Sequence, residues 1–117
     1  QTCCSSDLDE LQELNLVQNQ LTTIPAGTFQ GLGKLQKLDL AINQLATIPR
    51  GAFHGLGQLQ ELYLYRNKLT TISKGAFQGL DQLQKLWLHQ NPWNSSSVCI
   101  NSSSFPLLND LRGVSFC

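Results

Sequence analysis

The chain of 117 residues carries little charge: only 14% of its residues are Asp, Glu, Lys or Arg, and its formal net charge is zero. A strongly basic nucleic-acid-binding domain needs an excess of Lys and Arg, so this balance excludes that class while leaving room for local charge. No apolar run approaches the roughly 18 residues that a membrane-spanning helix requires. Apolar residues make up 41%, which together with the length predicts one domain with a modest core.

The middle of the chain also lacks cysteine. The four cysteines lie at its two ends, at Cys3, Cys4, Cys99 and Cys117. A zinc site favours two closely spaced pairs, which are missing, so we expect neither a metal nor another cofactor. Cysteines in this arrangement favour disulfides formed in an oxidising, extracellular compartment, and glycosylation tripeptides at Asn94 and Asn101 weakly favour the same location. The polar start QTCCSSDLDE fits a mature secreted protein or a trimmed chain.

Catalytic motifs are missing as well. The sequence has no paired carboxylates, no Gly-rich phosphate loop and no nucleophile elbow. Of the two histidines, His54 lies in a polar segment where we expect it to be solvated, and His89 has no neighbour expected to activate it. We therefore predict that the protein is not an enzyme.

What the chain does contain is a unit of 24 residues, LxxLxLxxNxLxxIxxxxFxxLxx, that recurs along most of its length. Such periodicity is the signature of a repeat architecture. The columns in register include Leu11, Leu35, Leu59 and Leu83; Leu14, Leu38, Leu62 and Leu86; Leu16, Leu40, Leu64 and Leu88; Asn19, Asn43, Asn67 and Asn91; and Phe29, Phe53 and Phe77.

Each column has a structural role. The LxL alternation has the period of a short strand with inward leucines, and stacked units pair these strands into one curved parallel sheet. The Asn column is expected to turn inward and bond the backbone where each strand ends. Gly-rich segments such as PRGAFHGL predict single turns or 3₁₀ pieces on the outer side. The result is an α/β solenoid with a concave sheet and an irregular convex side, stable only through contacts between neighbouring units.

The period stops after Asn91. We divide the chain into a short N-terminal cap at 1–10, four strand units at 11–91 and a C-terminal cap at 92–117. Trp93 is expected to cover the leucines of the last unit. The rest of the cap is expected to form a small core from Phe105, Leu107, Leu108 and Leu111, with one short helix near 105–112.

The cysteines divide between the two ends. Cys99 and Cys117 lie within the C-terminal cap, and a disulfide between them would stabilise the fold by about 3 kcal/mol in the chain-entropy model. Cys3 and Cys4 lie too far along the stack to reach them. They form a vicinal pair, stay free, or join another chain. The first ten residues carry Leu8 as their one large apolar group, so the N-terminal sheet edge is a candidate truncation or dimerisation edge.

The motif LxxLxLxxNxLxxIPxGxF, with its period of 24, resembles the extracellular leucine-rich repeats of variable lymphocyte receptors, Toll-like receptor ectodomains, Slit-type guidance proteins and small proteoglycans. Blocks such as LTTISKGAFQGLDQLQKLWLHQNPW are most similar to variable lymphocyte receptors, and Asn91-Pro92-Trp93 matches the opening of their C-terminal cysteine cap. The resemblance covers about 8–93 strongly and 94–117 loosely. It implies an α/β leucine-rich-repeat solenoid that serves antigen binding and immune recognition.

The chain departs from that family at both ends. The family has a Cys-x-Cys soon after the NPW motif, where this chain has serines at 95–97. The N-terminal cysteine cap is reduced to Cys3 and Cys4. These departures favour a minimal relative or a truncated chain over a full-length receptor.

Residues beside the strand leucines are expected to face the concave side. The column Glu13, Lys37, Glu61 and Lys85 alternates in sign and predicts a ladder of exposed ion pairs, each contributing about 0–1 kcal/mol. The other columns hold an exposed aromatic cluster with an arginine beside it, and Tyr, Trp and Arg are typical of binding hot spots. The alternative is that the aromatic rings stack on each other or on the cap. The candidate ligand-binding residues are Asp39, Glu61, Tyr63, Tyr65, Arg66, Trp87 and His89.

The leading functional hypothesis is a secreted, immune-receptor-like module that binds a protein or a microbial surface glycan on this face, with no nucleic-acid partner. A matrix or guidance protein would use the same face for an endogenous partner. A third hypothesis is a homodimer formed through the N-terminal edge or through Cys3 and Cys4. Fold alone does not separate these, because solenoids serve many functions.

Overall fold

The computed structural model describes residues 11–25, 27–73, 75–94 and 98–117. The predicted N-terminal cap and the pairing of Cys3 and Cys4 lie outside these residues. The described elements are β1 (Glu13–Asn15), β2 (Lys37–Asp39), β3 (Glu61–Tyr63), β4 (Lys85–Trp87), β5 (Cys99–Ile100), a 3₁₀ helix (Ser102–Ser104), β6 (Asp110–Arg112) and β7 (Ser115–Phe116).

The four repeat strands pair as the repeat predicts. They form a parallel sheet in the order β1-β2-β3-β4, and β6 adds a fifth parallel strand beside β4. The register keeps equivalent positions opposite each other, so Leu38 lies between Leu14 and Leu62. Leu86 in turn faces Leu111 of β6. The predicted leucine-rich-repeat solenoid is therefore confirmed, and its sheet is one strand longer than the repeat indicates.

The core consists of the inward-facing columns. Leu38, Leu62 and Leu86 are fully buried at the centres of their strands. Opposite them, the rings of Phe29, Phe53 and Phe77 form a stack with centroids 6.0 and 5.9 Å apart, and Phe105 extends it with an edge contact at 6.3 Å. Each such aromatic pair contributes about 0.5–1.5 kcal/mol beyond its buried area.

Asn43 and Asn67 of the Asn column turn inward, as predicted, whereas Asn19 in the first unit is exposed. The Asn67 side chain is 4% exposed, and its Nδ2 donates to the backbone carbonyls of Leu64 and Leu40 at 2.9 and 3.1 Å. Its Oδ1 accepts from the backbone N–H of Leu45 at 3.1 Å. One amide therefore satisfies backbone groups in its own unit and in the unit before it, which burial would otherwise leave unpaired.

The convex side has turns in place of helices. Backbone hydrogen bonds of the i to i−3 type close the turns around residues 25–35, as from Gln30 N to Gly27 O at 3.1 Å and from Leu32 N to Phe29 O at 3.2 Å. These have the hydrogen-bond pattern of a 3₁₀ helix without joining into one. In the described part of the chain the single helix is Ser102–Ser104, so the expectation of an irregular convex side holds.

The C-terminal cap confirms two predictions. Cys99 and Cys117 form the expected disulfide. Trp93 packs against the core, and its Nε1 donates to the carbonyl of Leu88 at 3.1 Å. The disulfide therefore closes the cap on itself, and the half-buried Trp93 ring packs it against the last repeat.

Two other expectations for the cap are wrong. The segment 105–112 holds no helix, because Asp110–Arg112 pairs with β4, whose edge would otherwise expose unpaired backbone groups. Leu107 is 45% exposed and so does not join the cap core, whereas Leu108 and Leu111 do pack against it. The division into cap, repeats and cap stays a prediction, and the sheet continues into the segment assigned to the C-terminal cap.

Gly113 explains how β6 comes so close to β4. It stands where a repeat unit has its third strand leucine, and its φ is +98°. A Cβ atom at Gly113 would lie 2.3 Å from both Leu88 C and His89 N. Only glycine fits this contact, which holds the last strand against the edge of the repeat sheet.

Candidate functional site

One row of side chains crosses the concave face because the strands are in register. Asp39 lies opposite Tyr63, Tyr63 opposite Trp87, and Trp87 opposite Arg112. Neighbouring parallel strands lie about 4.8 Å apart, so these side chains contact one another. Three of the predicted site residues thus meet in one row, which ends on Arg112 of the fifth strand.

Trp87 is the centre of that row. Its ring lies 4.6 Å from the ring of Tyr63 at an angle of 49°. On the other side the guanidinium of Arg112 lies 4.0 Å from the centre of the Trp87 ring. A cation at this distance over Trp is a favourable contact, contributing about 0.5–2 kcal/mol depending on exposure. The indole is therefore held between a tyrosine and an arginine.

Arg112 is a candidate site residue that the sequence-based prediction missed. A signal for it does exist: Leu108 and Leu111 have the spacing of the first two repeat leucines, Leu83 and Leu86. They follow those leucines one residue later than the repeat period predicts, and Gly113 replaces the third leucine. A search for strict periodicity therefore overlooks the fifth strand.

A second row lies beside the first. The rings of Tyr65 and His89 stack with their centroids 4.7 Å apart and their planes 5° from parallel. Trp87 lies 6.1 Å from each of them, which joins the two rows into one cluster. We call Tyr63, Tyr65, Trp87, His89 and Arg112 the aromatic cluster.

The expectation that these aromatics form an exposed cluster is wrong. Tyr63 is only 7% exposed, and Tyr65, Trp87 and His89 are half-buried. Rings on adjacent strands cover one another's faces, so lateral stacking, the alternative weighed in the sequence analysis, does occur. Stacking and ligand contact are compatible, because the outer edges of the half-buried rings still face solvent.

Glu61 holds Tyr63 in place. The Tyr63 hydroxyl donates a hydrogen bond to Glu61 Oε1. Burial, and then this hydrogen bond and the negative charge of Glu61, raise the pKa of the Tyr63 hydroxyl above its usual range. Lys37 Nζ lies 5.8 Å from the centre of the Tyr63 ring. The phenol therefore stays neutral and keeps its orientation.

The predicted ladder of ion pairs does not form. Glu13, Lys37, Glu61 and Lys85 are in register, yet in the described part of the chain the ion pair present is Arg112 Nε to Asp110 Oδ1 at 3.1 Å. Glu61 uses its carboxylate on Tyr63 instead. In this column Glu61 and Lys37 thus contact Tyr63 and form no ion pair with each other.

Asp39 has a local role that the sequence analysis did not assign. Its Oδ1 accepts from the backbone N–H of Ala41 at 3.1 Å, and Asn15 makes the equivalent bond to Val17 at 3.0 Å. Both side chains satisfy a backbone donor at the end of a strand. Asp39 is half-buried, so part of its carboxylate remains available beside Tyr63.

Arg66 lies at the rim of the face. It is exposed, has a left-handed φ of +59°, and its backbone N–H donates to His89 O at 3.1 Å. No ring contact or ion pair involves its side chain among the described residues. The structure therefore brings Arg66 near the aromatic cluster without joining it to the stack.

The charges around Trp87 are tuned by their neighbours. Burial, and then the positive charge of Arg112, lower the pKa of His89. Burial raises the pKa of Asp110. The hydrogen bond and charge of Arg112, together with Trp87 and Lys85, lower it by more, so the pKa lies below its ordinary value. The Trp87 indole N–H favours the charged carboxylate without reaching hydrogen-bond geometry.

Within the described chain, Trp87 Nε1 and His89 Nδ1 are buried without a hydrogen-bond partner.

Two features are absent from the described residues. No group of three or more His, Cys, Asp or Glu side chains is placed to hold a metal ion. No described helix has the length and apolar character needed to cross a membrane.

A comparison with known families accounts for the repeat. A family model described as leucine rich repeat matches residues 4–45 and 34–92, which is more than half of the chain. The chain belongs to the leucine-rich-repeat family. Recognition of proteins or other ligands is the general role of that family. The finer resemblance to variable lymphocyte receptors stays a prediction.

Solved structures share the leucine-rich-repeat fold. A TLR13–ssRNA13 complex is 30% identical with a TM-score of 0.80, over 88% of this chain and 15% of that one. An internalin (inlF) from Listeria monocytogenes is 23% identical with a TM-score of 0.67, over 95% of this chain and 37% of that one. This chain thus spans a small part of each. No curated protein matches it.

Proposed function

We propose that this leucine-rich-repeat chain is a secreted, immune-receptor-like recognition module that binds a protein or microbial surface ligand on its concave face, without catalysis. One observation carries the proposal: Trp87 is held between Tyr63 and Arg112, with the Tyr65–His89 stack alongside. Tyr, Trp and Arg are the residue types that dominate binding hot spots.

The fold does not require aromatic residues at these positions. The same two columns hold Asn15, Val17, Asp39 and Ala41 in the first two units, and the strands there pair in the same register. The aromatic cluster is therefore an addition to a scaffold that forms without it. It also leaves Trp87 Nε1 and His89 Nδ1 buried and unpaired, which costs stability and favours a functional reason for the cluster.

Rigidity supports a role in binding. Tyr63 is fixed by Glu61, and Trp87 by Tyr63 and Arg112, so these side chains lose little further freedom when a ligand arrives. Because ordering a side chain at an interface costs about 0.5–1.5 kcal/mol, a cluster that is ordered beforehand binds more tightly for the same contacts.

An extracellular location forms part of the proposal. The Cys99–Cys117 disulfide is typical of an oxidising compartment. Both proposed glycosylation sites, Asn94 and Asn101, are exposed, and Asn101 also caps the 3₁₀ helix by accepting from Ser103 N at 3.0 Å. A glycan on either would lie outside the aromatic cluster.

RNA is not the ligand that we propose. The TLR13 structure is a complex with a single-stranded RNA, but this chain covers 15% of that protein and has a formal net charge of zero. Nucleic-acid affinity rests largely on contacts from an excess of Lys and Arg to phosphates. RNA therefore enters the test as a comparison ligand.

The test is a binding screen against whole microbes, surface glycans, extracellular proteins and single-stranded RNA. A Tyr65→Ala/Trp87→Ala variant is compared with a convex-face control, His54→Ala/Gln78→Ala, whose two side chains are exposed. We expect the control to bind like the wild type and the concave variant to lose at least about tenfold in affinity, since one hot-spot residue contributes 2 kcal/mol or more. Equal binding by both variants, with both folded by circular dichroism, would overturn the concave-face proposal.

A further inference from the structure

A recess lies beside the Asn column in the first three units, whereas the aromatic cluster lies on the third and fourth units and β6. The recess encloses about 530 Å³, within the size range of small-molecule sites. Its lining is Gln18, Gln20, Ile42, Asn43, Gln44 and Lys68. These residues flank the column asparagines of the first three units, so the recess is built by the repeat itself.

Two residues that depart from the repeat line this recess, one in residue type and one in backbone geometry. The residue before each column Asn has a left-handed φ of 58–60°, which Gln18, Arg66 and Gln90 adopt, but at Ile42 the residue is β-branched. A β-branched side chain at positive φ is a genuine outlier. Gln20 is the second departure, because its φ is +60° whereas the equivalent Gln44 and Lys68 are not left-handed. Such outliers cluster at binding sites, where surrounding structure holds them in place.

The floor of the recess is rigid. Asn43 is 6% exposed, and its Oδ1 accepts from the backbone N–H groups of Asn19 and Leu21 at 2.9 and 3.0 Å. Its Nδ2 donates to Leu16 O and Leu40 O at 3.0 and 2.9 Å. The loop that carries Gln18 and Gln20 is therefore anchored to the neighbouring unit.

The rim, in contrast, has unused hydrogen-bonding capacity. Gln18, Gln20, Gln44 and Lys68 are exposed, and none of their side chains makes a hydrogen bond or ion pair within the described residues. Each glutamine amide offers donors and an acceptor, and the lysine offers a single cation. No carboxylate lines the recess, so Lys68 is its one charged group.

We infer that this recess is a carbohydrate site that favours an acidic sugar unit. Sugar hydroxyls both donate and accept, which matches the three glutamine amides, and the C–H face of a sugar ring packs on an aliphatic side chain such as Ile42. Lys68 supplies the cation for a carboxylate substituent. No residue of the aromatic cluster lines the recess, so this site is tested separately from the concave-face proposal.

The test is a titration of the isotope-labelled protein with glucuronic acid and, separately, with glucose, in the millimolar range and followed by nuclear magnetic resonance. We expect glucuronic acid to shift the resonances of the backbone and side-chain amides of residues 18–20 and 42–44. Shifts confined to the aromatic cluster, or no shifts at all, would overturn the proposal for the recess.

Variants assign the contacts. Gln18→Ala/Gln44→Ala is expected to weaken glucuronic acid by about tenfold or more, because two hydrogen bonds are lost. Lys68→Ala is expected to weaken it by about fivefold and to abolish the preference over glucose. The control is Gln58→Ala/Gln82→Ala, which removes two exposed glutamines outside the recess and is expected to change nothing. Equal affinity of the recess variant and the control would contradict the site.

A substitution at Ile42 tests the site through both the unfolding temperature and the resonance shifts. Ile42→Asn places a residue that tolerates left-handed φ at this position, so we expect a higher unfolding temperature together with smaller glucuronic-acid shifts. A stabilised variant with undiminished shifts would show that Ile42 takes no part in sugar binding.

Discussion

The two halves of the concave face are built on the same sheet but present different chemistry. In the first two units the outward positions hold Asn15, Asp39 and other small or polar residues, and Asn15 and Asp39 bond the backbone at their own strand ends. In the last two units and β6 the same positions hold the aromatic cluster. The comparison shows that the same strand register accepts either short polar side chains that bond the backbone or a packed set of aromatic rings.

The ends of the sheet differ in a related way. At β1 the central Leu14 is half-buried, whereas at β4 the equivalent Leu86 is fully buried because β6 and the cap lie over it. Among the described residues, the edge of the sheet on the aromatic side is covered by β6 and the cap.

Gly113→Ala is expected to have the largest effect. The added Cβ would meet the backbone of Leu88 and His89 at 2.3 Å, so β6 has to move away and Arg112 leaves Trp87. A loss of at least about 3 kcal/mol in the free energy of unfolding is expected from such a clash in a packed site. Urea denaturation measures it, and Gly57→Ala, where nothing lies within 4 Å, is the control and should cost little.

Asn67→Ala tests the column asparagine in the covered half against its counterpart at the edge. Removing the Asn67 amide leaves Leu45 N and the carbonyls of Leu40 and Leu64 without these bonds, so we expect a loss of about 2–3 kcal/mol. Asn19→Ala should cost under about 1 kcal/mol, since Asn19 is exposed and its Nδ2 makes one long bond of 3.4 Å. Similar losses for both variants would contradict the contrast.

A double-mutant cycle of Trp87→Ala and Arg112→Ala measures how far the fifth strand stabilises the aromatic cluster. The contact of 4.0 Å predicts a coupling free energy of about 0.5–2 kcal/mol. Thermal unfolding of the wild type, both single variants and the double variant yields this value. Strictly additive losses would mean that Arg112 lies over the indole without stabilising it.

The smallest expected effect is a pH dependence from His89. Burial and Arg112 hold its folded-state pKa below the ordinary value of 6.5, so the unfolded chain binds the proton more readily. The stabilisation is complete above about pH 6.5 and is lost as the pH falls from there toward the folded-state pKa. When the free energy of unfolding from denaturation curves is plotted against pH, its slope across this range should be smaller in His89→Gln than in the wild type. The control His54→Gln removes an exposed histidine and should keep the wild-type slope. A slope that changes in His54→Gln and not in His89→Gln would show that His89 is not the source of the pH dependence.

Regular features of this protein were predictable because period and residue type act locally. The strands, the inward Asn column and the disulfide all follow from the spacing of Leu38, Asn67 and Cys99 with their counterparts. Arg112 was not predictable in the same way, because its strand lies one residue out of period and is held by Gly113. The exposure of Tyr63 was predicted wrongly, because the sequence does not show how far the Trp87 ring on the next strand covers it.

The sequence alone therefore determines the repeat fold. Leucines at alternate positions form a strand that has to bury one face, and every unit has the same pattern. Other features come from three-dimensional packing. The edge of β4 needs a partner for its backbone groups, so Asp110–Arg112 becomes a strand in place of the expected helix. That pairing places a guanidinium over Trp87 and completes the aromatic cluster. Which groups meet across strands depends on register and on contacts between distant segments, and a list of residues records neither.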